Sequence, residues 1–212
     1  MCSGRVDLEF ILRAFSSGQD GVFIGGCRLG ECNYITHGNF DALGTTLLAQ
    51  KILEHIGLDP ERLQIQFMSS GDGHILAEAI NQFAKTVKEV GPLGKSEGIG
   101  EKGMKLKLDA ARKLVPFIKL VERERLRVTP KSEQAYRDFY AGGEFDGLFT
   151  ELIVNRLAIG QIMLLLQEKP LSTSEMAEIL GLNPSEISRH INRSSRQGLV
   201  RYDESRNCYA LA

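Results

Sequence analysis

Three of the four cysteines in this 212-residue chain, Cys2, Cys27 and Cys32, lie close to its N-terminus, and the fourth, Cys208, lies near its C-terminus. Cysteines so concentrated in a chain with no disulfide framework point to metal binding or redox chemistry. Cys27 and Cys32 are separated by Arg28, Leu29, Gly30 and Glu31, a four-residue gap that also occurs in plant-type [2Fe–2S] sites. Glycines at positions 25, 26 and 30 let the backbone bend around such a group. Spacing alone leaves two readings open. Two buried structural cysteines stand slightly ahead, and a metal or cluster site stands behind. His37 reads first as a loop histidine and only second as a ligand, and Cys208 reads as a core residue.

The elements that must position these thiols can be read from periodicity. Val6 to Phe15 has apolar residues at helical spacing, and Gly21 to Gly26 reads as a short buried strand entering a glycine turn. A helix is expected over 40–56, a strand at Leu63, Ile65 and Phe67, and a helix over 74–90. Helices alternating with strands imply a parallel sheet with crossover helices. Cys27 then falls at the carboxyl end of a strand, where open α/β sheets bind ligands. Ser69 to Gly73 reads as a turn, and no nucleotide is expected there. Residues 91–100 are a linker by composition. Helices are expected over 106–126, with Pro116 as a kink, over 130–141 and over 147–168.

The last forty or so residues follow helix-turn-helix grammar. Ser172 and Glu175 form a capping box, Gly181 ends that helix, and Asn183-Pro184 with Glu186 opens the next. Ile187, Ile191 and Leu199 are expected to face the core, and Val200–Tyr202 with Cys208–Leu211 to form a two-stranded wing. The second helix displays Arg189, His190, Arg193 and Arg196, residue types that contact phosphates and base edges in DNA. Residues 171–212 carry five basic and five acidic side chains, and this neutral balance favours protein docking as much as DNA binding.

Net charge is −1, which selects no polyanionic partner. Residues 105–127 hold eight basic and three acidic side chains and read as a solvated helix face, or as a docking face for an acidic partner. The longest apolar run, Leu157 to Leu166, is short for a bilayer crossing, and Arg5, Asp7 and Glu9 stand where a secretion signal would be apolar. A cytoplasmic protein with no membrane partner is expected.

Cys2-Ser-Gly-Arg-Val-Asp7, Gly21-Val-Phe-Ile-Gly-Gly-Cys-Arg-Leu-Gly-Glu-Cys-Asn-Tyr34 and Gly38-Asn39 closely resemble the delta subunit family of the methyl-viologen-reducing hydrogenase. The resemblance covers about residues 1–92. It implies a flavodoxin-like domain, a [2Fe–2S] cluster, and Cys2, Cys27 and Cys32 as its ligands. It also implies a one-electron relay between a hydrogenase, formate dehydrogenase or similar donor and a heterodisulfide reductase A-like flavoprotein. Arg5 and Arg28 would raise the potential of such a cluster, unless they are ordinary surface arginines. Family members begin further upstream, with a first strand and a Cys-x-x-Cys motif. The sheet is therefore expected to lack its first strand and the site a fourth ligand. The abrupt start at Met1-Cys2 suggests an incomplete gene product restarted downstream of a Cys or selenocysteine motif. His37, a partner's cysteine or a distant Cys208 would otherwise complete the site. The tail from Leu171 also resembles bacterial regulators of the arsenic-repressor type.

The expected organisation is a flavodoxin-like iron–sulfur domain over 1–92, a linker and helical connector over 93–146, and a winged helix-turn-helix over 147–212. The leading function is an electron carrier that has no substrate of its own. A redox-responsive winged-helix regulator and a cluster-free scaffold are the alternatives.

Overall fold

The computed structural model describes residues 2–34 and 37–212. The α/β section begins with a 3-10 turn, Ser3–Arg5, followed by α1 (Leu8–Ser16). Asp7 caps α1 by accepting from the Glu9 amide at 3.0 Å. Leu8, Ile11, Leu12 and Phe15 are buried on one face, as their helical spacing requires. β1 (Val22–Cys27), α2 (Asn39–His55), β2 (Leu63–Met68) and α3 (Gly73–Val90) follow. β1 and β2 pair in parallel, with Val22 opposite Leu63 and Cys27 opposite Met68. The expected alternation of helix and strand is therefore present, in a mixed α/β fold whose parallel sheet has two strands among the described residues.

Beyond α3 the chain is helical: α4 (Glu101–Arg125, with Pro116 inside), α5 (Glu133–Tyr140), α6 (Gly143–Phe149), a π-helical turn (Thr150–Val154) and α7 (Asn155–Glu168). These helices share one hydrophobic core with the α/β section. Leu12, Leu43, Ile52, Leu108, Ile118, Phe145 and Leu157 belong to the same buried cluster.

Lys105, Lys113, Arg123, Arg125 and Arg127 of the basic segment are exposed, as on a solvated face, while three of its cations make contacts to the α/β section. Lys107 donates to the Ile56 carbonyl at 3.1 Å, Arg112 pairs with Glu9 at 2.8 Å, and Lys119 pairs with Asp7. The compositional linker is likewise tied down. Arg62, 0% exposed, donates to Glu97 at 2.6 Å and to the carbonyls of Asp20, Gly91 and Pro92.

The segment from Gly143 to Glu168 is one continuous 26-residue helical stretch, long and apolar enough by length and composition to cross a membrane. The short run expected from sequence is thus part of a much longer element. Its apolar side chains face protein: Phe145, Phe149, Ile153 and Leu157 are in the first core, and Ile162, Leu165 and Leu166 are in a second.

That second core belongs to the winged helix. It gathers Leu171, Met176, Leu180, Ile187, Ile191 and Val200 from α8 (Thr173–Leu180), α9 (Pro184–Arg196) and the antiparallel pair β3 (Val200–Asp203) and β4 (Cys208–Leu211). The Ser172–Glu175 capping box is present, and Gly181 closes α8 at φ 66°. Two expectations differ. Leu199 is 49% exposed and stays out of the core, because the chain turns at Gly198 (φ 72°) immediately before it. Glu186, read from sequence as a capping glutamate that bonds back to the start of its helix, instead lies 3.9 Å from Arg189.

One buried acid predicts a pH effect. Burial pushes the Glu122 carboxyl upward; the Thr45 hydroxyl donates to it at 2.9 Å and opposes this, while Asp41 and Asp7 add to the rise. A carboxyl whose folded-state pKa is raised contributes stability fully below its ordinary value of 4.5 and loses it as pH rises through the folded value. Glu122→Gln is therefore expected to stabilise the chain at neutral pH, by about 2–4 °C in melting temperature per kcal/mol of relief. Thermal melts at pH 5 and 8 check this, since the gain should shrink at the lower pH.

Candidate metal centre

The carboxyl end of β1, the N-terminal turn and the start of α2 meet at the thiols. Cys2 lies just before the Ser3–Arg5 turn, and its sulfur accepts from the Gly4 amide at 3.4 Å. The Cys2 and Cys32 sulfurs are 3.6 Å apart. Two thiolates on one tetrahedral metal with ~2.3 Å bonds stand about 3.7 Å apart, so this pair already has the spacing of one metal's ligands. Cys27 ends β1, and its sulfur accepts from the Asn39 side-chain amide at 3.6 Å. Among the described residues no three His, Cys, Asp or Glu side chains close around a single ion. The three thiols form a pair plus a neighbour, an arrangement that suits a group larger than one ion.

The polar surroundings favour thiolate at Cys32. The backbone amides of Tyr34 and, less strongly, Asn39 hold its thiol below the ordinary cysteine range, against the opposing effect of burial. The Cys27 thiol is pushed up, first by desolvation around the sulfur and then by the other two thiols. Metal binding reverses such mutual repulsion, because a cation or cationic cluster binds the deprotonated forms.

Two glycines form the cradle. A Cβ on Gly38 would lie 2.2 Å from the Tyr34 carbonyl oxygen and 2.6 Å from the Cys32 sulfur. A Cβ on Gly4 would lie 2.5 Å from the Gly38 oxygen. The Cys2 turn and the start of α2 thus touch backbone to backbone. Beside them, the Ser3 hydroxyl is buried without a hydrogen-bond partner. An orphaned hydroxyl and a cradle without side chains are what a compact inorganic group needs, and the thiols present fit three of the four protein ligands of a [2Fe–2S] cluster.

The sequence points to glycines 25, 26 and 30. Of these, Gly30 takes positive φ (87°), a Cβ on Gly26 would meet the Phe67 ring, and a Cβ on Gly25 would meet nothing within 4 Å. The close-approach positions are instead Gly4 and Gly38, which sequence reasoning misses, as it misses Asn39. Asn39 is 1% exposed, and its Nδ2 donates to the carbonyls of Cys27 and Arg28, each at 2.8 Å. Its one visible signal is a polar residue standing between Gly38 and the helix expected over 40–56.

Arg28 donates to Asp72 at 2.7 Å and lies 3.7 Å from Glu31, and Glu31 in turn accepts from Ser69. Its charge therefore locks two strand-end loops together. Arg5 is exposed. The His37 Nδ1 is 3.1 Å from Asp41, with its side chain 88% exposed. Cys208 is buried on β4. On α9, Arg189, Arg193 and Arg196 share one exposed groove with Ser188, Asn192 and Gln197. His190 does not join them, being 6% exposed and facing a cavity beside His55 and Lys107.

These features define a class: a cysteine-bearing α/β unit, fused through a helical body to a winged helix. Residues 1–91 match the family model for the methyl-viologen-reducing hydrogenase delta subunit, and residues 160–202 match that for bacterial regulatory proteins of the arsR family. The chain belongs to the methyl-viologen-reducing hydrogenase delta subunit family. It is 37% identical over 101 residues to the D-type iron-sulfur subunit of the vhc F420-non-reducing hydrogenase of Methanococcus voltae, covering 48% of this chain and 69% of that one. The corresponding D-type iron-sulfur subunit of Archaeoglobus profundus is 43% identical over 91 residues, covering 43% and 66%. A third relative is the A-type subunit of the ferredoxin/F(420)H(2)-dependent CoB-CoM heterodisulfide reductase of Methanosarcina acetivorans, 46% identical over 94 residues. The match takes in 44% of this chain and spans only 12% of that relative's length.

Proposed function

We propose that the chain is a cytoplasmic electron-transfer subunit that holds a [2Fe–2S] cluster on Cys2, Cys27 and Cys32. Its donor is a hydrogenase or formate dehydrogenase-type subunit, and its acceptor is a heterodisulfide reductase A-like flavoprotein. Residues 1–92 form a flavodoxin-like cluster domain, 93–146 a helical connector and 147–212 the winged helix. The observation that carries this reading is the approach of Cys2 to the Cys27–Cys32 loop at the end of β1, with the Cys2 and Cys32 sulfurs 3.6 Å apart. The relatives named as iron-sulfur subunits of hydrogenases and as the A-type subunit of heterodisulfide reductase support it.

When bound, the cluster supplies reversible one-electron storage. The chain's own residues do the rest. The Gly4 amide donates to Cys2, the Asn39 side chain donates to Cys27, and the Arg28–Asp72 and Ser69–Glu31 pairs keep the two strand-end loops in register. The test is electron transfer itself. Anaerobically reduced protein mixed with a heterodisulfide reductase A-type flavoprotein is expected to reduce the flavin, and Cys27→Ser protein is expected not to. Equal flavin reduction by both proteins would remove the relay.

A second reading, a redox-responsive regulator, is favoured by one observation, the exposed arginine groove of α9. Replacing Arg193 and Arg196 with alanine should then reduce the salt slope of binding to duplex DNA by about one for each phosphate no longer neutralised. Fluorescence anisotropy across a salt series measures it, and a chain that binds no duplex at low salt leaves the winged helix as a protein-docking module.

A further inference from the structure

We infer that Asn39 is a positioning residue that also sets the redox poise of the centre: its side-chain amide fixes the Cys27 turn and donates to the Cys27 sulfur. The inference rests on the cluster reading above and deepens it. Asn39 is the first residue of α2, following Gly38, and it is 1% exposed. Its Nδ2 is 2.8 Å from the Cys27 carbonyl, 2.8 Å from the Arg28 carbonyl and 3.6 Å from the Cys27 sulfur. An amide NH₂ carries two protons, so three acceptors share two N–H groups, and the sulfur shares one of them with a carbonyl. Among the described residues, no other side-chain N–H reaches one of the three thiols.

Two consequences follow from elementary chemistry. First, the two carbonyl bonds hold the backbone on either side of Cys27 against the helix start, which fixes where the Cys27 sulfur stands. A ligand held in place without help from metal keeps its cluster longer, and removing outer hydrogen bonds of this kind typically costs 10- to 100-fold in metal affinity. Second, reduction adds an electron whose charge spreads over the sulfurs. N–H donors aimed at those sulfurs stabilise the reduced form more than the oxidised form and so raise the potential. The buried setting strengthens this, because water does not replace a donor that is taken away. The start of a 17-residue helix adds a partial positive charge on the same side.

The experiment uses the full chain with three substitutions. Asn39→Asp keeps the shape, suits a helix N-terminus and removes both N–H donors. Asn39→Ala removes the side-chain hydrogen bonds and adds no charge. Asn33→Ala changes an exposed residue of the same loop and serves as the control. After anaerobic reconstitution, iron retention against a chelator and the midpoint potential from EPR-monitored titration are read for each. Both Asn39 variants should lose iron severalfold faster. In whatever cluster they retain, reduction should be roughly tenfold less favourable, a downward shift of about 59 mV for a one-electron couple. Asn33→Ala should match the parent chain. Iron retention and potential unchanged in both Asn39 variants would overturn the inference while leaving the cluster in place. A parent chain that takes up no iron would overturn the cluster reading, and this inference with it.

Discussion

Replacing Gly38 with alanine is expected to abolish stable cluster loading while leaving the helical body folded. The added methyl would sit 2.2 Å from the Tyr34 carbonyl oxygen and 2.6 Å from the Cys32 sulfur. Neither neighbour is the free end of a flexible side chain. One is backbone, and the other is the sulfur of a proposed ligand, whose position is the point of the site. Relief requires moving the Cys32 segment away from Cys2, which ends the 3.6 Å approach of the two sulfurs. A drop in iron affinity on the order of 10- to 100-fold is expected, as when supporting interactions around metal sites are removed. Gly25→Ala is the matched control, because a Cβ there meets nothing within 4 Å although it lies two residues from Cys27. Iron per chain after gel filtration, with circular dichroism to verify the fold, makes the measurement. Parent-like iron in Gly38→Ala protein would mean that this close approach does not govern the site.

The second large effect concerns stability. Glu97→Ala is expected to destabilise the chain by about 3–5 kcal/mol, because it leaves the buried Arg62 without its counter-charge. Arg62 is 0% exposed and donates to Glu97 at 2.6 Å, while the same carboxylate accepts from the Asp59 and Gly94 amides. Burial raises the Glu97 carboxyl, but the Arg62 hydrogen bond, the Asp59 amide and the Arg62 charge outweigh it and leave it below its ordinary 4.5. Its stabilisation is therefore present above that value and lost as pH falls through the lower, folded-state one. Urea unfolding at pH 7 and at mildly acidic pH tests both parts. Glu97→Ala should lose most at pH 7, Glu97→Gln should lose less, and both should show a flatter acid limb than the parent. A loss below about 1 kcal/mol at pH 7 would place this pair among exposed ion pairs of little weight.

The same segment shows where sequence stops being legible. Gly91 to Gly100 has the composition of a linker, and local composition carries no information about Arg62, 35 residues away from Glu97. The close approach of Gly4 and Gly38 is hidden for the same reason: it joins residues far apart in the chain, and a glycine selected for lack of a side chain looks like any other glycine. What was legible was periodic or local. The stripe Leu8, Ile11, Leu12 and Phe15, the strand around Ile65, the Ser172–Glu175 box and the wing pairing appear where spacing and capping placed them. The cysteine site was legible as a set of ligand types. The element that holds it, α2 with Asn39 at its start, was legible only as a helix. The basic segment was legible as an exposed face, although its composition does not say that Arg112 and Lys119 pair with Glu9 and Asp7 of the N-terminal section. His190 misled because, at one residue's offset from Arg189, it falls on the buried side of α9.

The cysteines themselves give the most direct test of the central claim. Iron, acid-labile sulfide and EPR should be measured on anaerobically purified full-length chain, alongside Cys2→Ser, Cys27→Ser and Cys32→Ser. The account predicts about two irons and two sulfides per chain, a one-electron EPR signal on reduction, and loss of both in each of the three variants, with Cys208→Ser unaffected. A chain without iron and sulfide under those conditions, or one whose iron survives all three substitutions, would contradict it.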